Sequence, residues 1–295
     1  MSIQSVTEVS PAATPTQGSE PFIIGKDDRI LVTGAAGFIG SRVVQNLLKS
    51  GFRNIVCLVR SSTKLGRIEE LRAMAPESNV EVVQGNLLRA SDCEAAFKDV
   101  SVVLHLAAGT GEKSFPDAFM NTVVTTRNLL DAVLRQGRLR RFVLVSSFSV
   151  YSNCDKPNGR LLDESSPLEK NPELRGDAYC FAKLKQEELL RSYAEERGVQ
   201  YVIVRPGSVY GEGHKEIVGR VGIGTFGVFL HVGGSNKIPF TYVENCADAI
   251  VRAGLVQGVE GDVFNIVDDD LPSSSQFLRR YKREARKFRS LYLPH

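Results

Sequence analysis

Apolar and polar residues fall along this chain in alternating blocks of two kinds. Short, nearly continuous apolar runs recur at Arg29–Thr33 (RILVT), Asn54–Val59 (NIVCLV), Val80–Val83, Val102–Leu106, Arg141–Val145 (RFVLV) and Tyr201–Val204. Runs of this length predict strands buried on both faces. Between them lie segments with apolar residues at helical spacing. One is Ile39–Ser50, whose apolar face holds Val43, Val44, Leu47 and Leu48 and which Gly51 ends. The others are Lys64–Ala75, stopping before Pro76; Ser91–Asp99, with Ser91 as its cap; Phe115–Gln136; and Asp177–Gly198. Strands alternating with helices imply right-handed crossovers and an α/β, doubly wound parallel sheet.

After Arg205 the pattern changes. Gly211–Gly234 is glycine-rich and carries two apolar pieces, Val218–Val221 and Phe226–Val232. Asn245–Val256 predicts a helix and Val263–Val267 a strand. Ser274–Ser290 predicts a basic helix with Arg279, Arg280, Lys282, Arg283, Arg286, Lys287 and Arg289, anchored by Phe277, Leu278, Tyr281 and Phe288. A solvated surface helix is the favoured reading, and an acidic membrane surface or partner the alternative. The expected organisation is a disordered Ser/Thr/Pro/Ala tail over 1–24, a dinucleotide-binding Rossmann domain over 25–210, and a small, interleaved substrate-binding region over 211–295.

Composition narrows this picture by exclusion. The 295 residues are 42% hydrophobic and 24% charged, as in soluble globular proteins. Net charge is +3, too balanced to imply nucleic acid. No apolar run is long enough to span a bilayer, and the N-terminus lacks the charged and apolar regions of a signal peptide. Cys57, Cys93, Cys154, Cys180 and Cys246 form no CxxC pair, which suits reduced thiols in the cytoplasm. No metal-ligand spacing occurs, so no metal is expected. His214 and His231 are read as loop or packing histidines.

The chemistry begins where the first strand ends, at TGAAGFIG (Thr33–Gly40). Gly34 can take a tight turn with positive φ, Gly37 lets backbone approach phosphates, and Gly40 lets a helix lie close to the strand. The N–H groups from about Phe38 onward then face an anion, helped by the helix dipole. The spacing Gly34, Gly37, Gly40 differs from the usual GxGxxG. Far downstream, Tyr179 and Lys183 stand i, i+4 on one helical face, where an ammonium can lower a phenol's pKa and make it a proton shuttle. Ser146 and Ser147 close the fifth strand, where a hydroxyl can stabilise a developing oxyanion. At the end of the second strand Val59-Arg60-Ser61-Ser62 has no acid, and Lys64 follows. A guanidinium there suits a 2′-phosphate, so NADP is favoured over NAD.

These segments together resemble the extended short-chain dehydrogenase/reductases, the NAD(P)-dependent epimerase/dehydratase group. The resemblance runs from about Arg29 to Asp270. It rests on TGAAGFIG, HLAAGTG (His105–Gly111), SSFSVYS (Ser146–Ser152), YCFAK (Tyr179–Lys183), RPGSVYGEG (Arg205–Gly213) and TYVENCADAI (Thr241–Ile250). It implies that Tyr179 is the acid/base, that Lys183 lowers its pKa and binds the nicotinamide ribose, and that Ser147 polarises the reacting oxygen. It implies cofactor contacts at Gly34, Gly37, Phe38, Ile39, Gly40, Arg60, Asn86, Leu87, Leu106, Ala107, Ala108, Lys183, Pro206 and Val209. Departures are Gly85-Asn86 for Gly-Asp, Ser152 for glycine, Thr125-Thr126 for Gly-Thr, and an end at His295 that is early for the family. That early end would leave part of the substrate wall undefined. The implied activity is hydride transfer at a hydroxyl or carbonyl of a small molecule, with a nucleotide sugar the first reading. A carbonyl or hydroxysteroid-type reductase is the alternative, which the VRSSTKLGRIEEL stretch resembles. A non-catalytic sensor or scaffold is disfavoured because both tyrosine and lysine are present. The resemblance also implies a homodimer.

Overall fold

The computed structural model describes residues 22–60, 65–109, 111, 114–152, 162–213 and 221–293. Most of the expected tail, the Ser61–Lys64 stretch, Cys154 and His214 lie outside the described residues. The chain forms β1 (Arg29–Thr33), α1 (Phe38–Lys49), β2 (Asn54–Val59), α2 (Gly66–Met74), β3 (Asn79–Gln84), α3 (Ala90–Ala96) and β4 (Val100–His105). Next come α4 (Phe115–Phe119), a π-helical turn (Met120–Val124), α5 (Thr125–Gln136), β5 (Arg141–Val145), a 3₁₀ turn (Phe148–Val150), α6 (Ala178–Arg197), β6 (Tyr201–Pro206) and β7 (Ser208–Tyr210). The C-terminal part holds β8 (Gly222–Thr225), β9 (Val228–His231), β10 (Phe240–Tyr242), α7 (Val243–Leu255), β11 (Val263–Ile266), α8 (Ser274–Glu284) and β12 (Ser290–Tyr292).

Seven strands make one parallel sheet in the order β3-β2-β1-β4-β5-β6-β11. Successive apolar residues of one strand enter opposite layers, which is why the strands read as continuous apolar runs. Ile30 and Val32 of β1 join Val43, Val44 and Leu47 of α1 and Cys246, Ala247 and Ile250 of α7. Leu31, between them, joins Cys93 of α3, Leu129 and Leu130 of α5 and Leu190 of α6. Strand order reverses between β1 and β4, so the loops leaving their carboxyl ends diverge and open a crevice.

Several expectations are corrected. The tail boundary at residue 24 is too late. Phe22 already bridges Val256, the Ile23 N–H donates to the Leu255 carbonyl at 2.8 Å, and Ile24 is buried. The single helix over Phe115–Gln136 is broken by the π turn. Ser91 is not a cap, because α3 starts one residue earlier with Arg89 at its N-cap and no side-chain cap. The basic C-terminal helix stops at Glu284, and Ser290–Tyr292 becomes a strand parallel to β9. Its anchors Phe277, Leu278 and Phe288 pack with Val221, Phe229, Ile238 and Phe240 while most of its arginines face outward. β11 comes from the expected substrate region yet closes one edge of the main sheet, so no clean cut falls at residue 210.

Candidate active site

The glycine turn after β1 is built as tightly as its sequence implied. Gly34 has φ +69°, and a Cβ there would meet the Ala107 backbone nitrogen at 3.1 Å. A Cβ on Gly40 would stand 2.1 Å from the Gly34 carbonyl oxygen. That contact lets α1 start directly beneath the turn. Gly37 is the N-cap of α1, with no side-chain cap and no acid in the first turn. A helix start with no side-chain cap and no acid suits an anion.

A crevice of about 390 Å³ opens beside this turn. Among the predicted cofactor residues, Gly34, Gly37, Arg60, Asn86, Leu87, Ala107 and Ala108 line it. Phe38 lines an adjoining hollow with Arg42, Arg67 and Glu212. Ile39 and Leu106 pack against the core, Gly40 is covered by the turn, and Pro206 is buried in β6. Val209 packs against the same core from β7. None of these five lines the crevice. The lining the sequence reading missed includes Val59, Leu88, Gly109, Asn121 and Thr125. Asn121 carried no motif, and Thr125 was noted only as part of the Thr125-Thr126 pair; the packing of the π turn and α5 brings them there. A glycine cradle that any Cβ would fill, an uncapped helix start and a mostly apolar slot fit a dinucleotide. Asn86 partly folds onto itself: its Oδ1 accepts from the Leu88 N–H at 3.0 Å and its own N–H donates to Asp92 at 2.8 Å.

Tyr179 and Lys183 sit in the first turns of α6. Asp177 caps that helix by accepting from the Cys180 N–H, and Gly198 at φ +69° ends it. The Tyr179 phenol lies beside Ser147, which follows β5 and accepts from the Ser149 N–H at 3.1 Å. Lys183 is fully buried. Its Nζ donates to the Val145 carbonyl at 2.8 Å and to Gln186 Oε1 at 3.0 Å, and lies 5.9 Å from the Tyr179 ring centre. Here the electrostatics differ from expectation. Burial pushes the Tyr179 phenol above its ordinary range; Ser147 pulls it partly back, and the charge of Asp177 raises it again. The Lys183 ammonium is directed at a carbonyl and an amide. Burial lowers Lys183 itself to about 8, with Glu187 opposing.

Three polar residues beside this triad went unread. Arg205 is buried and bidentate to Glu187, at 2.9 and 2.6 Å, and donates to the Tyr151 hydroxyl at 2.9 Å. Tyr151 in turn donates to Asn265 Oδ1 at 2.8 Å. The RPGSVYG and SVYS segments are thus clamped to α6 and β11. His231, read as a packing histidine, sits buried in β9 against Ser274 and Tyr292.

The family model described as the NAD dependent epimerase/dehydratase family matches residues 30–266. The chain belongs to that family. It is 28% identical over 253 residues to an uncharacterized UDP-glucose epimerase of Bacillus subtilis (strain 168), covering 81% of this chain and 76% of that one. It is 27% identical to the human dTDP-D-glucose 4,6-dehydratase, covering 81% and 68%. Against trifunctional plant enzymes of Arabidopsis thaliana it is 28% identical but spans only 37% of their length. The fold superposes on UDP-glucuronic acid 4-epimerase of Bacillus cereus, solved with UDP-glucuronic acid and NAD. The TM-score is 0.74 and the identity 25%, over 90% of this chain and 86% of that one. The chain is thus an extended short-chain dehydrogenase/reductase of the epimerase/dehydratase kind. No described helix is long and apolar enough to cross a membrane.

Proposed function

We propose that this chain is an NAD-dependent enzyme acting on a hydroxyl of a nucleotide-activated sugar, with Tyr179 as acid/base, Ser147 as donor to the reacting oxygen and Lys183 as the ribose-binding ammonium. The observation that carries this reading is the placing of Tyr179 beside Ser147 at the carboxyl end of β5, with Lys183 one helical turn on. The glycine crevice opens at the same carboxyl edge of the sheet. The sugar nucleotides named for the relatives support the substrate class. The dinucleotide would supply the hydride acceptor and donor. Gly34, Gly37 and the start of α1 would hold its pyrophosphate. As its phenolate Tyr179 would take the proton of the substrate hydroxyl, and as the phenol so formed it would return that proton on reduction, while Ser147 would hold the oxygen as its charge changes.

Epimerisation is the reaction we favour. It needs one acid/base at one carbon, whereas dehydration needs a further acid to expel hydroxide. Among the described residues the carboxylate whose charge reaches Tyr179 is Asp177, and both its oxygens are engaged, by the Cys180 N–H and Arg175. Incubation with a panel of UDP- and dTDP-hexoses, with product analysis, tests this. The expected product is an epimer, with Tyr179→Phe slower by about 10²–10⁴-fold at unchanged dinucleotide affinity. Full turnover by Tyr179→Phe would refute the assignment. At the ribose 2′ position we propose NAD as working cofactor, with exposed Arg60 on the crevice rim extending acceptance to NADP. Arg60→Asp should weaken NADP binding about tenfold or more, a loss of about 1.4 kcal/mol, and leave NAD binding alone.

A further inference from the structure

A set of buried hydrogen bonds joins the triad to the crevice, and it is centred on Gln186, which lies outside the motifs quoted above. Gln186, on α6, is fully buried. Its Oε1 accepts from Lys183 Nζ at 3.0 Å and its Nε2 donates to Thr126 Oγ1 at 2.7 Å. The reverse orientation of the amide would set N–H groups against the ammonium, so chemistry fixes it. Thr126 gives its one hydroxyl proton to the Thr122 carbonyl at 2.6 Å. Its oxygen must therefore accept from His105 Nε2, which lies 2.8 Å away. His105 then carries its proton on Nε2, and its Nδ1 accepts from the Thr33 hydroxyl at 2.7 Å. The Thr33 oxygen accepts from the Ala107 N–H at 3.1 Å, and Ala107 lines the crevice across from Gly34.

We propose that Gln186 is a positioning residue for the Lys183 ammonium, bracing α6 through Thr126, His105 and Thr33 against the turn that lines the dinucleotide crevice. The role rests on Lys183 serving the dinucleotide as proposed above. Two of the three Lys183 protons are taken by Val145 O and Gln186 Oε1, so tetrahedral geometry sets the direction of the third. The set is a brace and not a proton wire. Each threonine proton is committed in one direction, an amide does not ionise, and burial keeps His105 neutral with its pKa at about 3. Every buried side-chain polar atom along it has at least one hydrogen-bond partner, as such an arrangement requires. Tyr179 and Glu187 face the ammonium from α6 and neutral His105 from β4, and Glu187 is itself held by Arg205 of β6.

The test reads Lys183 directly, by nitrogen-15 NMR titration of its Nζ in the full chain without substrate, beside a thermal melt. In Gln186→Leu the ammonium loses one of two acceptors, so its midpoint should fall by about one pH unit. In Gln186→Glu it gains a carboxylate of the same shape, so the midpoint should rise by about one unit or more. Opposite shifts in folded variants support the brace. Unchanged midpoints, or shifts of one sign, overturn it. Should Gln186→Leu fail to fold, Gln186→Glu decides alone: a raised midpoint supports the brace and an unchanged one overturns it. Turnover by Tyr179→Phe is measured separately, so failure of the enzymatic reading leaves this titration interpretable.

Discussion

Two buried cations meet at α6, Lys183 on it and Arg205 against it, and the molecule treats them in opposite ways. Arg205 is matched by a carboxylate, with Glu187 bidentate and Tyr151 on its third position. Burial works against its charge, but Glu187 and Tyr151 outweigh that and raise its pKa. Lys183 has only neutral acceptors, the Val145 carbonyl and the Gln186 amide, and burial brings it down to about 8. One region uses charge to tie β6, β11 and the SVYS turn to a helix. The other keeps a charge whose proton is easily lost, a condition found more often at sites of chemistry than in scaffolds.

The sharpest way to break this contrast is Glu187→Ala. It leaves a guanidinium buried with one tyrosine hydroxyl, and should cost about 3–5 kcal/mol in urea unfolding. A loss below about 1 kcal/mol would mean that Arg205 finds water instead. Lys183→Met should show a smaller effect of a different form. The folded pKa of about 8 lies below the unfolded 10.5, so between those values the unfolded chain binds more protons. Stability of the natural protein should therefore rise with pH from about 8 to about 10.5, by up to about 3 kcal/mol. Below pH 8 the cost of the buried ammonium is fully present. The difference between the natural chain and Lys183→Met should carry that slope; a flat difference would show an ammonium that is solvated. Tyr151→Phe is the mildest. It removes the hydroxyl between Arg205 and Asn265 and should cost about 1–2 kcal/mol, leaving the Glu187 pair intact.

The same contrast explains what could be read in advance. Leu31, flanked by Ile30 and Val32, announces a strand covered on both faces, and Gly34 and Gly40 announce a turn that a Cβ would block. These are local requirements, each met within a few residues. The lining residues Asn121 and Thr125 are not local. They reach the crevice only because the π turn rotates the helix after β4. Ile39, Leu106 and Val209 fall within matching motifs, yet their side chains belong to the core. A motif marks a stretch of backbone and does not say which side chains of it face a ligand. In the C-terminal part, aromatic spacing revealed the anchors of α8, but β12 takes its identity from β9, more than fifty residues earlier in the chain.

The order of elements, the glycine turn after β1, and the helical register that sets Tyr179 and Lys183 one turn apart were determined by the chain itself. Each depends on periodicity or on φ, which act between near neighbours. Tertiary structure alone decided that Glu187 answers Arg205 rather than Lys183, that His105 is held neutral between two threonines, and that burial outweighs Ser147 at the Tyr179 phenol. Those outcomes depend on which groups remain after water is excluded, and that is set by partners far apart in sequence.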